Sequence, residues 1–289
     1  KSFFYLLLLS IVIFLSLSFF VVESFFYQKS YEFKLEHVHK YSKSNNIIIG
    51  DSQFVYGLKI SEFENISYPS LSLRDTINHL EEYYKNRKPV KIIFQFSPAF
   101  LSSSRYESDP ILIPSSSFHS KIKTFYFQEF KFLTRYWKLI IEEKIFGKKI
   151  KSNIDLVKFE KWVDLPFFQR QEIVNKRVLD HLPQYDKYDL IISDLVNLIK
   201  KFKEINKNLS FCIVVPPYSN EYLEAFSKIS DIDKFNEYIN LISIDNNFKY
   251  FNFSRLFYDK QDLFADQEHL NNDGREIFSK KIKKLKQTW

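Results

Sequence analysis

The sequence has one cysteine, four glycines and no methionine. A single cysteine excludes a disulfide within the chain and any cysteine-based metal site. Cys212 stands inside the apolar run Phe211-Cys212-Ile213-Val214-Val215, where a thiol is a small buried hydrophobe. His37 and His39 are two residues apart, a spacing that does not share a helix face, so they make no metal site. No cofactor is expected. Internal repeats, Pro-rich linkers and sustained heptads are also missing, which sets aside solenoids and long coiled coils. The net charge is +7, yet no nucleic-acid-binding motif accompanies it, and no nucleic-acid partner is expected. The basic residues are scattered, with modest clusters at Lys144–Lys151 and Lys280–Lys286. They read as solvated helix faces, the alternative being a surface turned to anionic headgroups or an anionic glycan.

What the chain does have begins at its N-terminus. Phe3 to Val22 is a nearly unbroken apolar run with Lys1 before it and Glu23 after it. As a helix it covers ~30 Å, the thickness of a bilayer's hydrocarbon core. A cleavable signal peptide has a shorter core and a small-x-small cleavage site; Val21-Val22-Glu23-Ser24 offers neither small residue where it is needed. Residues 1–23 are therefore expected to be an uncleaved single-pass anchor, embedded through residues 3–22, with a cytoplasmic N-terminus and the rest of the chain exported. Residues 24–45 mix aromatic and charged side chains and read as a juxtamembrane stalk or helix.

Residues 46–289 alternate two patterns. Short apolar runs at Asn46–Ile49, Asn65–Tyr68, Val90–Phe96, Ser210–Val215 and Lys249–Phe253 suit buried parallel strands. Between them, Leu73–Arg87, Phe125–Phe146, Tyr188–Ile205, Ile232–Asn246 and Gly274–Lys286 read as helices. The expected fold is α/β, a mostly parallel sheet flanked by helices. Residues 101–184 are long for one connection and read as a helical insertion beside the sheet.

Two short motifs carry the chemistry. Gly50-Asp51-Ser52 follows the strand-like run Ile47-Ile48-Ile49. At a strand-to-helix turn a serine hydroxyl stands exposed at the sheet edge with backbone N–H groups beside it, but it needs a base to become a nucleophile. Asp266 and His269 lie three residues apart near the C-terminus. That spacing allows the carboxylate to hold imidazole Nδ1–H and leaves Nε2 for the serine. Taken singly, Gly-Asp-Ser is a common turn, and the second motif is an acidic capping turn with a surface histidine. Taken together, across an α/β pattern, they make Ser52, His269 and Asp266 a candidate triad.

These motifs resemble those of the SGNH (GDSL) hydrolase family. Gly50, Asp51 and Ser52 match its first block; Asp266, His269, Leu270, Asn271 and Gly274 match its last. The resemblance implies a flavodoxin-like sheet and assigns support or oxyanion roles to further positions. The second block, which usually reads Asn-Leu-Gly-x-x-Gly, is matched by Asn65 to Ser70, with Ser70 in place of the oxyanion glycine. The third block, Gly-x-Asn-Asp, is held by Gln95-Phe96-Ser97-Pro98, where Ser97 or Gln95 would donate in place of the family's asparagine. Pro216-Pro217-Tyr218 after the fourth strand also looks like members of the family, lining the sheet edge or simply ending the strand.

With its single anchor the chain looks like the accessory O-acyltransferases of bacterial envelopes, which work beside a multi-spanning membrane-bound O-acyltransferase (MBOAT). The resemblance then implies an acyl-Ser52 intermediate, a glycan acceptor, and a domain on the outer side of the cytoplasmic membrane. Two further readings stand beside this one: a membrane-tethered carbohydrate or lipid esterase acting alone, and a non-catalytic scaffold that kept the fold.

Overall fold

The computed structural model describes residues 2–21, 44–69, 71–102, 105 and 162–285. Most of the expected stalk, the helix at Phe125–Phe146, most of the insertion, His37, His39 and Ser70 lie outside them. The chain divides into two compact units, Lys1–Glu36 with Asp109–Asp155, and His37–Ser108 with Leu156–Trp289.

What is described of the first unit is helix α1, Ser2–Val21. Among the described residues no helix is long and apolar enough to cross a membrane.

The second unit is built on a five-stranded sheet in which every neighbouring pair is parallel. The strands are β1 (Asn46–Ile49), β2 (Glu64–Asn65), β3 (Lys91–Gln95), β4 (Ser210–Val215) and β5 (Lys249–Asn252), in the order β2-β1-β3-β4-β5. This is the flavodoxin-like order of doubly wound α/β proteins. The expected mostly parallel sheet is present. Ile47–Ile49, Ile92–Phe94 and Phe211–Val215 are buried, which is why the central strands are continuous apolar runs rather than alternating ones. At the edge, β5 is only partly buried, and β2 is two residues long instead of the run expected over Asn65–Tyr68. The chain still follows β1 beyond β2: Ile66 N–H donates to Ile48 O and Tyr68 N–H to Gly50 O.

Among the described residues, the α-helices of this unit are α2 (Ser52–Gly57), α3 (Leu73–Asn86), α4 (Phe167–Asp180), α5 (Tyr185–Ile205), α6 (Asn220–Ile229), α7 (Ile232–Asp245) and α8 (Asn272–Leu285). Local chemistry starts several of them. Ser72 and Asp75 form a capping box on α3, and Ser219 and Asp231 cap α6 and α7 through their side chains. In α5, Tyr188, Ile191, Ile192, Leu195, Val196, Ile199 and Phe202 form one buried stripe at helical spacing. It packs α5 against α3, where Tyr84 and Phe202 stack with ring centres 3.7 Å apart. α4 packs against α6, α8 against α2, and α7 against β5. The thiol of Cys212 is buried in β4, and burial pushes its pKa upward.

The strand order reverses direction at β1, with β2 on one side and β3 on the other. The crevice outside the carboxyl ends of the strands at such a point is where this class of sheet places its ligands. Ser52 follows directly from that end of β1.

Candidate active site

The turn from β1 into α2 is fixed by side chains rather than by flexible backbone. Asp51 is the N-cap of α2: its Oδ1 accepts from Gln53 N–H at 2.9 Å, and its carbonyl accepts from Phe54 and Val55 N–H. From the end of β3, Gln95 reaches across. Its Oε1 accepts from Asp51 N–H at 3.0 Å, and its Nε2 donates to Asp51 Oδ1 at 2.7 Å and to Gln53 Oε1 at 3.0 Å. Gln95 is fully buried, so each of these bonds replaces one that water cannot supply. Ser52, held on the first turn of α2, presents its hydroxyl at the sheet edge.

Gly50 makes this approach possible. A Cβ there would stand 2.5 Å from Gln95 Cβ and would also run into Gln95 Oε1. Gly50→Ala is expected to lower unfolding stability by about 1–3 kcal/mol through overpacking, read as a shift of the denaturant midpoint. An unchanged midpoint would show that Gln95 can move aside freely.

The second motif is a tight loop pinned at its base by an antiparallel bridge between Phe264 and Leu270. Asp266 Oδ1 accepts from the backbone N–H of Glu268 at 2.9 Å and of His269 at 2.7 Å. Its Oδ2 lies 2.7 Å from His269 Nδ1, and His269 Nε2 lies 2.8 Å from Ser52 Oγ. The two motifs, 217 residues apart in sequence, therefore meet in one chain of hydrogen bonds. Gln53 Nε2–H donates to Glu268 O at 3.1 Å, and Ser219 N–H donates to Gln267 O at 3.1 Å. These bonds tie the loop to α2 and to the start of α6. Tyr56 sets its ring edgewise to His269, the centres 5.8 Å apart.

Electrostatics favour charge on the imidazole. Burial opposes the imidazolium of His269, but the carboxylate of Asp266 outweighs it, aided by Glu268 and Asp51, and the pKa is raised to about 9. With Nδ1–H committed to Asp266, neutral His269 has its lone pair on Nε2, facing the Ser52 hydroxyl.

The supporting residues divide by what their polar atoms touch. Asn65 Nδ2 donates to the carbonyls of Phe54 and Leu58 at 2.8 and 3.0 Å. It thus holds the C-terminal end of α2. Asn271 Nδ2 donates to Asp262 O, and its Oδ1 accepts from Gly274 N–H, so it starts α8. Both hydrogens of the Gln95 amide go to Asp51 and Gln53. As arranged, Asn65 and Gln95 have no amide hydrogen left for a developing oxyanion. Ser97 differs: its Oγ is buried without a hydrogen-bond partner among the described residues. Tyr218, after β4, reaches the site's support through a 3.4 Å contact of its hydroxyl with Gln53 Oε1.

Sequence reasoning did not single out Gln53, Tyr56, Arg105, Arg177 or Glu268. Arg105 brings a guanidinium nitrogen 3.9 Å from Asp51 Oδ2. Arg177, on α4, pairs with the buried Glu268, its Nε 2.6 Å from Oε1. Glu268 lies inside the Asp-x-x-His motif, but nothing in the sequence marks it as buried. Among the described residues no group of His, Cys, Asp and Glu could hold a metal ion.

No protein-family model matches the chain, and no curated protein matches it. Among solved structures it is similar to one described as a platelet activating factor from Streptococcus pneumonia, with a TM-score of 0.47 and 12% identity over 89% of this chain and 93% of that one. It is also similar to a gut microbial diltiazem-metabolizing enzyme, with a TM-score of 0.39 and 10% identity over 83% of this chain and 46% of that one. Both likenesses are too distant to bear on activity.

Proposed function

We propose that this chain is a serine-dependent acyl-transfer enzyme of the SGNH type. One observation carries the reading: the unbroken path from Asp266 through His269 to Ser52 at the carboxyl end of β1. In this reading Ser52 Oγ attacks an ester carbonyl and its proton passes to His269 Nε2. The C–O bond to the leaving alcohol then breaks, and that alcohol takes the proton from Nε2. The product is acyl-Ser52. An incoming hydroxyl next gives its proton to Nε2, attacks the acyl carbon, and returns the hydrogen to Ser52 as the acyl group leaves. Water as the incoming group makes the reaction hydrolysis; a sugar hydroxyl makes it O-acylation. The Ser52 N–H, on the first turn of α2, is the group this reading offers to the oxyanion.

The finer reading is transfer of an acyl group, such as acetyl, to an envelope or extracellular glycan, with an MBOAT partner supplying the acyl group. An anchor at residues 3–22 would hold the domain at the outer face of a bacterial cytoplasmic membrane and raise its effective concentration near such a donor. In support of the anchor, Ile11, Val12, Ile13 and Phe14 of α1 are all about half exposed. Four consecutive positions cover most of a helix circumference, so apolar surface points in nearly every direction, as an apolar solvent requires.

The test uses the full chain in membranes or detergent. A fluorophosphonate probe should form a single adduct, located by peptide mass mapping on Ser52; an adduct elsewhere, or none, would remove Ser52 as the nucleophile. With an acetyl ester and an oligosaccharide together, acetyl on the sugar identifies transfer, and free acetate alone identifies the tethered esterase.

A further inference from the structure

A charged pair lies behind the candidate triad, and the acyl-transfer path does not use it. Glu268 is buried, 4% exposed, between the two triad members of its own loop. Both guanidinium nitrogens of Arg177 that reach it contact Oε1. His181, which follows α4, stands 3.7 Å from Oε2 through Nδ1 and bonds the Tyr222 hydroxyl at 2.9 Å. Burial disfavours the Glu268 carboxylate, but His181 and Arg177 outweigh it and hold its pKa below the usual range. Burial pushes the His181 imidazole itself down to about 3, so near neutral pH the positive charges acting on Glu268 are those of Arg177 and His269.

The surroundings of His269 form a small charge set. Asp266 faces it across 2.7 Å from its own loop, Glu268 is its neighbour in that loop, and Asp51 caps the helix that carries Ser52. The Tyr56 ring comes from α2. Two of the three carboxylates have a guanidinium of their own: Arg177 of α4 on Glu268, and Arg105 on Asp51. Asp266 is left to face the imidazole. A hydrophobic residue at position 268 would serve a buried loop with less desolvation cost, so a buried ion pair there calls for a reason beyond stability.

We infer that Glu268, with Arg177 partly cancelling its charge, is a positioning residue that sets how basic His269 is. The inference rests on His269 acting as the base for Ser52. Glu268 would act through the field at the imidazole without touching substrate, and Arg177 would weaken that field. The device links the base to α4, a helix that otherwise holds α6 through the Arg170–Glu221 pair.

The experiment measures the rate constant of fluorophosphonate labelling of the full chain from about pH 5 to about pH 10, since that rate follows the fraction of neutral base. In the wild type labelling should rise through about pH 9. Glu268→Gln keeps an oxygen for Arg177 but removes the negative charge. It should move the rise to lower pH by about one unit or more, the size expected for a neighbouring charge. Glu268→Gln/Arg177→Gln, which leaves no unpaired buried charge, should fall between the two and serves if the single variant does not fold. Rates lowered equally at every pH, with the rise unmoved in both variants, would make the pair a structural clamp only and overturn the inference. A wild type that never labels at Ser52 would instead overturn the triad reading itself.

Discussion

Ser52→Ala and His269→Ala are each expected to lower kcat/KM on an activated acetyl ester by about 10⁶-fold, and the double variant to be no worse than either alone. The reason is that the two side chains make one proton path, Oγ to Nε2 across 2.8 Å, and cutting it once removes all of it. The residual rate would come from binding and from oxyanion donors on α2 that neither substitution touches. Neither variant should unfold. Ser52 is half-buried and its hydroxyl supports no backbone group, while the loop around His269 is held by Asp266, Gln53 and the Phe264–Leu270 bridge. Thermal midpoints should therefore lie within a few degrees of wild type. More than one-tenth of wild-type activity in Ser52→Ala would mean that the geometry seen here is not a catalytic one.

The path was legible because each half sits in a local pattern with a physical cause. Ile47-Ile48-Ile49 has to be a central strand, since three β-branched residues in a row have no polar face to turn to water. Gly-Asp-Ser after it has the residues that a sheet-edge turn needs: a glycine for close approach, a carboxylate to cap, and a hydroxyl. Ser210–Val215 is a strand for the same reason as β1, whereas Lys249–Asn252 is a partly buried edge strand. Edges were less legible. β2 is short because its neighbours Ile66 to Tyr68 bond to β1 as an irregular extended segment, whose apolar side chains look the same in sequence as a strand's.

Roles assigned to polar side chains were harder to read, because an amide looks the same in sequence whether it faces a substrate or a carbonyl. Asn65 and Asn271 tie helix ends, and Gln95 braces the Asp51–Ser52 turn from the next strand. The Gln95 bracing depends on the register of β1 on β3, where Ile49 faces Phe94 and the next residues meet. Arg177 reaches Glu268 across 91 residues, a distance over which no periodicity or capping rule operates. That is why the charge set around His269 emerged only in three dimensions.

Asp266→Asn is expected to cost about 10⁴-fold in kcat/KM while leaving the fold intact. Asp266 does two jobs with two oxygens. Oδ1 accepts the backbone N–H groups of Glu268 and His269, and Oδ2 faces His269 Nδ1. Asparagine can keep the first job with its carbonyl oxygen, so the loop should hold its shape and the thermal midpoint should change little. Its NH₂ group then stands where Oδ2 was and donates to Nδ1. That reverses the tautomer: the imidazole hydrogen moves to Nε2 and points at Ser52, which can no longer give up its proton there. The substitution also removes the carboxylate that contributes most to raising the His269 pKa, so what activity remains should appear at lower pH than in the wild type. Asp266→Ala loses both jobs and should fall in stability as well as rate, by about 1–3 kcal/mol for buried N–H groups left without acceptors. Equal activity of Asp266→Asn and wild type would show that the Asp266–His269 contact is only a capping turn.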